Sequence, residues 1–276
     1  MQKRHISELG LRVLSAAVAI PIVLGMTILG GIWFQFLVLL LAALLANELV
    51  ENVVGVHAGI LRLLTVMLFI GSGVLSINGA VVPALAVGFA GALVFTAMAR
   101  IQNVRAVIFA AGIIFGNSAV VGLIALRSDL NYGLVAILWL FGVVWSVDSM
   151  AYFSGRLIGG PKLAPKISPN KTWAGFYGGL AGAAFAGFIV ERLVDLGSEI
   201  TVIGLSILAG VVAQAGDLQE SWAKRQLGVK DSGRLLPGHG GIWDRLDGLI
   251  VVVIFATLIG LVRGDAQSVA LNLLVW

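Results

Sequence analysis

The sequence predicts an all-α, polytopic integral membrane protein of about nine transmembrane helices, with its N-terminus in the cytoplasm. Three observations predict it. First, 59% of the 276 residues are hydrophobic and only 12% are charged, with a mean hydropathy of +1.02. A water-soluble domain of this size cannot hide so much apolar surface. Second, the apolar runs are long and continuous, where a β-barrel would alternate in segments of ~10 residues. Third, the basic residues are distributed asymmetrically between alternate connecting segments.

The spans are expected at about 13–30, 32–50, 62–78, 81–99, 106–126, 132–152, 174–191, 200–218 and 247–263. The stretches 154–172 and 219–246 are too polar to cross. With the N-terminus inside, the cytoplasmic segments hold 15 of the 18 Lys and Arg residues. The outside segments hold Arg127, Arg192 and Arg263. One span more or fewer between the two basic loops would put one of them on the wrong side. Met1–Leu11 is short, basic and mildly amphipathic. The apolar run after it is long and is followed at once by another, which favours a membrane helix over a secretory signal. Organised this way, residues 1–126 form a region of about five spans, and 127–276 a catalytic region of about four spans with cytoplasmic loops 154–172 and 219–246.

The 36 glycines suit close helix packing in lipid. The absence of cysteine excludes disulfides, thiolate metal sites and Cys nucleophiles. A pI near 9.7 fits the topology signal, so no nucleic-acid partner is expected; the lipid bilayer is the expected surroundings. Trp33 and Trp173 fall near span ends, as interfacial anchors do, whereas Trp139 and Trp145 read as packing residues.

The densest chemistry lies between Ser221 and Asp247. Lys224, Arg225, Lys230, Arg234 and Arg245 stand there beside Asp231, Asp244 and Asp247, with Asp217 and Glu220 just upstream. Basic side chains suit phosphates, and carboxylates beside them suit a divalent metal that bridges phosphates. Helical spacing puts Asp217, Glu220 and Ser221 on one face. Asp244 and Asp247, three apart, also share a face, within reach of one cation. Asp148 sits at the inner end of the sixth span. Asp148, Asp217, Asp244 and Asp247 would converge at a water-facing mouth as a Mg²⁺ site for one or two metals. The alternative for Asp217 is a plain ion pair with a nearby Lys or Arg.

The loop 145–173 carries Lys162, Lys166 and Lys171 among Gly, Pro, Ser and Asn residues, a composition suited to an anionic ligand or, more simply, to a positive-inside loop. His239, flanked by glycines in Pro-Gly-His-Gly-Gly, reads either as a phosphate contact or proton-transfer group or as a turn residue. Glu48 and Glu51 read as helix-end contacts, Asn47 and Asn117 as interhelical donors, and Arg100 and Arg105 as topology signals.

The segment Ser221-x-x-Lys224-Arg225-x₄-Lys230-Asp231-x-Gly233-x₂-Leu236-Pro237-x-His239-Gly240-Gly241-Ile242-x-Asp244-Arg245-Leu246-Asp247 closely resembles the signature of the phosphatidate cytidylyltransferases, or CDP-diacylglycerol synthases. The upstream AYFSGR and KLAPKISPNKTW stretches also resemble that family. Ala223 and Asn170 depart from its usual residues. The likeness in motifs covers about the C-terminal half of the chain.

The resemblance implies transfer of a cytidylyl group from CTP to phosphatidate with release of pyrophosphate. It also implies Mg²⁺, with room for a second cation, a homodimer, and a bacterial inner membrane with the site facing the cytoplasm. In that reading Asp148, Asp217 and Asp244 are metal ligands. Lys224, Arg225, Asp231, His239 and Asp247 act in catalysis. Lys162, Lys166, Lys171, Ser221, Lys230 and Arg245 bind substrate. A related CTP-using membrane enzyme, such as a polyprenol kinase or an archaeal-type CDP-lipid synthase, and a transporter or channel are the competing classes. The long signature argues against the first. The one-sided charge and the absence of repeats argue against the second.

Overall fold

A computed structural model describes residues 8–233 and 240–276. Nine long helices follow one another: α1 (Glu8–Leu29), α2 (Gly31–Val53), α3 (Gly59–Ile77), α4 (Val81–Ala99), α5 (Asn103–Ser128), α6 (Gly133–Leu157), α7 (Trp173–Val194), α8 (Glu199–Leu227) and α9 (Trp243–Arg263). A short α10 (Val269–Leu274) closes the chain, and a small hairpin of β1 (Lys162–Ala164) and β2 (Ser168–Thr172) joins α6 to α7. Among the described residues, eight helices are long and apolar enough to cross a bilayer; the apolar part of α1 is the shorter Ser15–Leu29. The protein is therefore an all-α polytopic membrane protein.

The helices coincide with the expected spans, with two informative differences. Helix α8 does not stop near residue 218 but runs nine residues further, to Leu227. Ser198 caps its start, its side chain accepting from the Thr201 N–H. At its far end Lys224 and Arg225 sit in the last turn, where cations favour the helix dipole, and Gly228 turns the chain with φ 75°. The charged stretch thus begins on a rigid helix. The loop 154–172 is likewise ordered, as the last residues of α6 followed by the hairpin. Thr172 ends the hairpin and caps α7, its hydroxyl accepting from Gly175 N at 3.1 Å.

Lipid offers no hydrophobic drive between helices, so close approach depends on small residues. Gly175, Gly179 and Gly182 lay one face of α7 on α6; a Cβ at Gly182 would lie 2.6 Å from the Ser146 carbonyl oxygen. Trp139, fully buried, donates to Ser206 Oγ at 2.8 Å and ties α6 to α8. Trp145 stacks on Phe141. Asn117 reaches from α5 to the Ala84 carbonyl of α4 at 3.1 Å. Helix α9 packs between α8 and α5, which brings the first turn of α9 beside the charged end of α8.

Candidate active site

The meeting of α8 and α9 builds the site. Both helices must come close, and Gly216 permits it. A Cβ there would lie 2.9 Å from the Asp247 carbonyl oxygen. Gly216 precedes Asp217, and Asp247 stands directly across from it. The same close contact therefore brings two carboxylates together in chain-distant positions. Glu220, one turn along α8, is the third member. Carboxylate oxygens of Asp217, Glu220 and Asp247 all lie within 4.8 Å of one another. Asp148 on α6 acts electrostatically on Asp217 and Asp247.

Three carboxylates this close repel unless a cation or proton intervenes. Glu220 is only 3% exposed. Its Oε1 lies 2.7 Å from the Lys224 ammonium. Hard divalent cations prefer such oxygen donors. The donor set therefore fits Mg²⁺.

Cations surround the acids. Lys171, at the end of the hairpin, pairs with Asp217 at 2.5 Å. Ser221 Oγ donates to Asp217 Oδ1 at 3.5 Å. Lys224 bridges Glu220 at 2.7 Å and Asp244 Oδ1 at 2.8 Å. Arg225 Nε donates to the Ile167 carbonyl at 3.5 Å, linking the end of α8 to the hairpin. Lys162, Lys166, Arg225, Lys230, Asp231 and Arg245 are exposed around this end of the molecule. His239 and Arg234 lie outside the described residues.

The geometry separates two acids that the sequence groups together. Asp247 joins the acidic cluster. Asp244 borders it, next to Glu220, and is held by other partners: Oδ1 accepts from Lys224, and Oδ2 accepts from the N–H groups of Ser232 and Gly241, each at 2.8 Å. The reason is its place in the first turn of α9, where free N–H groups and the incoming chain converge on it. Glu220, which helical spacing puts on one face with Asp217, is the third member of the cluster.

Glu48 is the residue whose part in the site the sequence did not reveal. It lies on α2, is 6% exposed, and does more than finish its own helix. Oε1 accepts from Ile242 N at 2.8 Å, and Oε2 from Trp243 N at 2.9 Å and Ser232 Oγ at 3.1 Å. A carboxylate from a distant helix thus caps the N-terminus of α9, a favourable place for negative charge. Asn52, one turn on, donates to the Ser232 carbonyl at 2.6 Å. The chain of contacts runs from Glu48 through Ser232, Asp244 and Lys224 to Glu220. The only sequence signal was an acid four residues before Asn52 in an apolar span.

Comparison with known proteins identifies the family of the chain. The model of the cytidylyltransferase family matches residues 10–262. A protein of Brucella abortus named phosphatidate cytidylyltransferase is 49% identical over 156 residues, which is 56% of this chain and 58% of that protein. One of the same name from Haemophilus influenzae is 45% identical over 136 residues, or 46% of each chain. One from Staphylococcus haemolyticus is 36% identical over 252 residues, covering 88% of this chain and 95% of that protein.

Proposed function

The chain belongs to the cytidylyltransferase family, and we propose on that premise that it transfers the cytidylyl group of CTP to phosphatidate, giving CDP-diacylglycerol and pyrophosphate in phospholipid biosynthesis. The observation that carries this reading is the acidic cluster of Asp217, Glu220 and Asp247, ringed by lysines at one end of a membrane-embedded helix bundle. Such a site suits a polyphosphate that arrives from water and a lipid headgroup that arrives from the bilayer.

Asp217, Glu220 and Asp247 would hold Mg²⁺, with Asp148 adjacent. When bound, the ion would neutralise charge on the triphosphate and polarise the α-phosphoryl group. The lipid phosphate is already an anionic nucleophile, so the protein need not supply one. An oxygen of phosphatidate attacks the α-phosphorus of CTP in line, and the bond to the β-phosphate oxygen breaks as pyrophosphate leaves. Catalysis then consists of positioning and charge stabilisation. Lys171 and Lys224 border the acids and offset charge that develops on the phosphates. Lys162, Lys166, Lys230 and Arg225 gather the triphosphate at the exposed rim. Asp244 keeps Lys224 and the loop in place and is assigned this positioning role instead of metal ligation. His239 is kept as a substrate contact on the signature alone.

We further infer that α1 crosses the membrane, for nine spans in all. The hairpin and the signature segment then face the cytoplasm with 15 of the 18 basic residues. The family resemblance supports a homodimer in the bacterial inner membrane, with the division at residue 126 separating a supporting from a catalytic region.

The test is turnover in detergent with α-labelled CTP, phosphatidate and Mg²⁺. Label is expected in a lipid, with one pyrophosphate released per labelled lipid, and chelation of the metal abolishes it. Release of CDP with no labelled lipid would establish the kinase reading instead. Folded protein with no turnover of CTP would remove both.

A further inference from the structure

An elongated chamber of about 410 Å³ lies between α1, α2, α5, α6 and α9, within the size range of small-molecule sites, roughly 300–1,000 Å³. Its walls are apolar nearly throughout. Phe34 and Leu41 from α2, Leu123 from α5, Trp145 from α6 and Val253 from α9 are representative. The charged side chains that line it are Asp148 and Arg245. Arg245 stands in the first turn of α9, and Asp148 lies towards the C-terminal end of α6, where α6 leads into the hairpin. The charge therefore collects at the end of the chamber nearest the acidic cluster, and Asp148 interacts electrostatically with both Asp217 and Arg245.

The chamber also has a definite depth. Its lining runs from Phe34 to Leu45 along α2 and from Ile242 to Val253 along α9. At 1.5 Å per residue, eleven residues of helix make about 16 Å. That is roughly half of the ~30 Å hydrocarbon core, or the depth of one leaflet. Helix α1 packs on α2 and α6 and contributes Ser15, Ala19 and Val23 to the wall. A slot one leaflet deep, apolar along its length and charged at its inner end, matches a lipid tail with an anionic head. Water has few polar partners in it.

We propose that this chamber holds one acyl chain of the phosphorylated lipid substrate, with the lipid phosphate at the Arg245 end, so that its far end sets the chain length the site accepts. The guanidinium supplies a charge-assisted contact for the phosphate, and the tail fixes the distance from that phosphate to the acids of α8 and α9. The proposal rests on the lipid-substrate reading given above, which the experiment tests separately. The decisive position is Leu123. Helices α5 and α6 are neighbours joined by the turn at 129–132, so the C-terminal part of α5 lies far from Asp148. Leu123 therefore marks the deep end, which a short chain does not reach.

The protein has no cysteine, so Leu123→Cys introduces a single thiol. In the full chain in detergent, N-ethylmaleimide is expected to label it. Dipalmitoyl phosphatidate is expected to slow labelling about tenfold, whereas dihexanoyl phosphatidate and dipalmitoyl phosphatidylcholine leave the rate within about twofold. In parallel, Leu123→Trp fills the deep end and is expected to lower the ratio of kcat/KM for dipalmitoyl over dihexanoyl phosphatidate by about tenfold or more. Equal protection by phosphatidylcholine, or a thiol that never reacts, overturns the assignment. So does an unchanged ratio in a Leu123→Trp protein that elutes as a single folded species. A wild type that turns over neither phosphatidate, while dipalmitoyl phosphatidate still protects the thiol, retains the chamber and overturns cytidylyl transfer.

Discussion

Helices α3 and α4 pack against each other as α8 and α9 do, yet the two pairs serve different ends. In both, a glycine allows the approach: Gly91 of α4 receives Leu68 of α3, and Gly216 of α8 receives Val251 and the backbone at Asp247. Helix α4 has no charged residue, and it exposes Val82, Phe89 and Leu93 to its surroundings. On α8 and α9 the same kind of contact sits beside acids on both helices. Close packing through small residues is the general solution in lipid. It becomes a site only where the residues next to the small one carry charge, because the approach that buries a methyl in one pair brings together carboxylates in the other.

The strongest way to break this comparison is to remove charge without changing shape. Asp217→Asn or Asp247→Asn is expected to lower kcat more than a hundredfold, since metal and charge stabilisation is worth several kcal/mol of barrier. Protein that stays folded by size-exclusion chromatography, yet keeps turnover within about threefold, would sink the acidic cluster as the site. Changing shape without changing charge comes next. Gly216→Val forces α8 from α9, with an expected loss of about 1–3 kcal/mol of stability. Thermal unfolding in detergent reads that loss, and turnover should fall with it because the acids separate.

The contact between the two halves of the molecule is a sharper probe. Glu48→Ala leaves the Ile242 and Trp243 N–H groups and the Ser232 hydroxyl without their acceptor, which costs about 1–3 kcal/mol for a buried group left unpaired. Glu48→Gln retains one acceptor oxygen and is expected to lie between wild type and Glu48→Ala, both in melting temperature and in kcat. A Glu48→Ala protein indistinguishable from wild type in both would show that α2 does not hold the signature segment. At the weak end, Phe89→Leu on the exposed face of α4 is expected to change stability by no more than about 0.5 kcal/mol. A larger loss there would mean that this face is covered by protein.

Most of the fold was legible because a membrane helix is a one-dimensional object. Its length and its apolar run are both contained in consecutive residues, so the expected spans fall on the observed helices. Helix α8 exceeded its expected span because hydropathy marks where lipid ends, whereas the helix continues until its cap at Gly228. Within the site, the grouping of Asp217 with Glu220 and Ser221 was readable from helical spacing. Asp244 and Asp247 have the same helical relation, but spacing does not say which one joins the acids of α8 and which one accepts from Lys224 and the turn that precedes α9. Glu48 was the hardest, since its three donors stand 184 to 195 residues away and nothing near it in the sequence points to them.

The sequence by itself thus determined the class of the molecule, the helices that build it and the family to which its motifs point. Those properties follow from composition, run length and contiguous signature residues, and each is a sum over near neighbours. Only the tertiary structure decided which carboxylates meet, which one serves as a cap, and where an apolar chamber meets the charged end. These depend on Gly216, on the turn before α9 and on the reach of α2 across the bundle. The physical reason is that a carboxylate's role is set by what stands opposite it, and in a helical bundle that partner belongs to another helix.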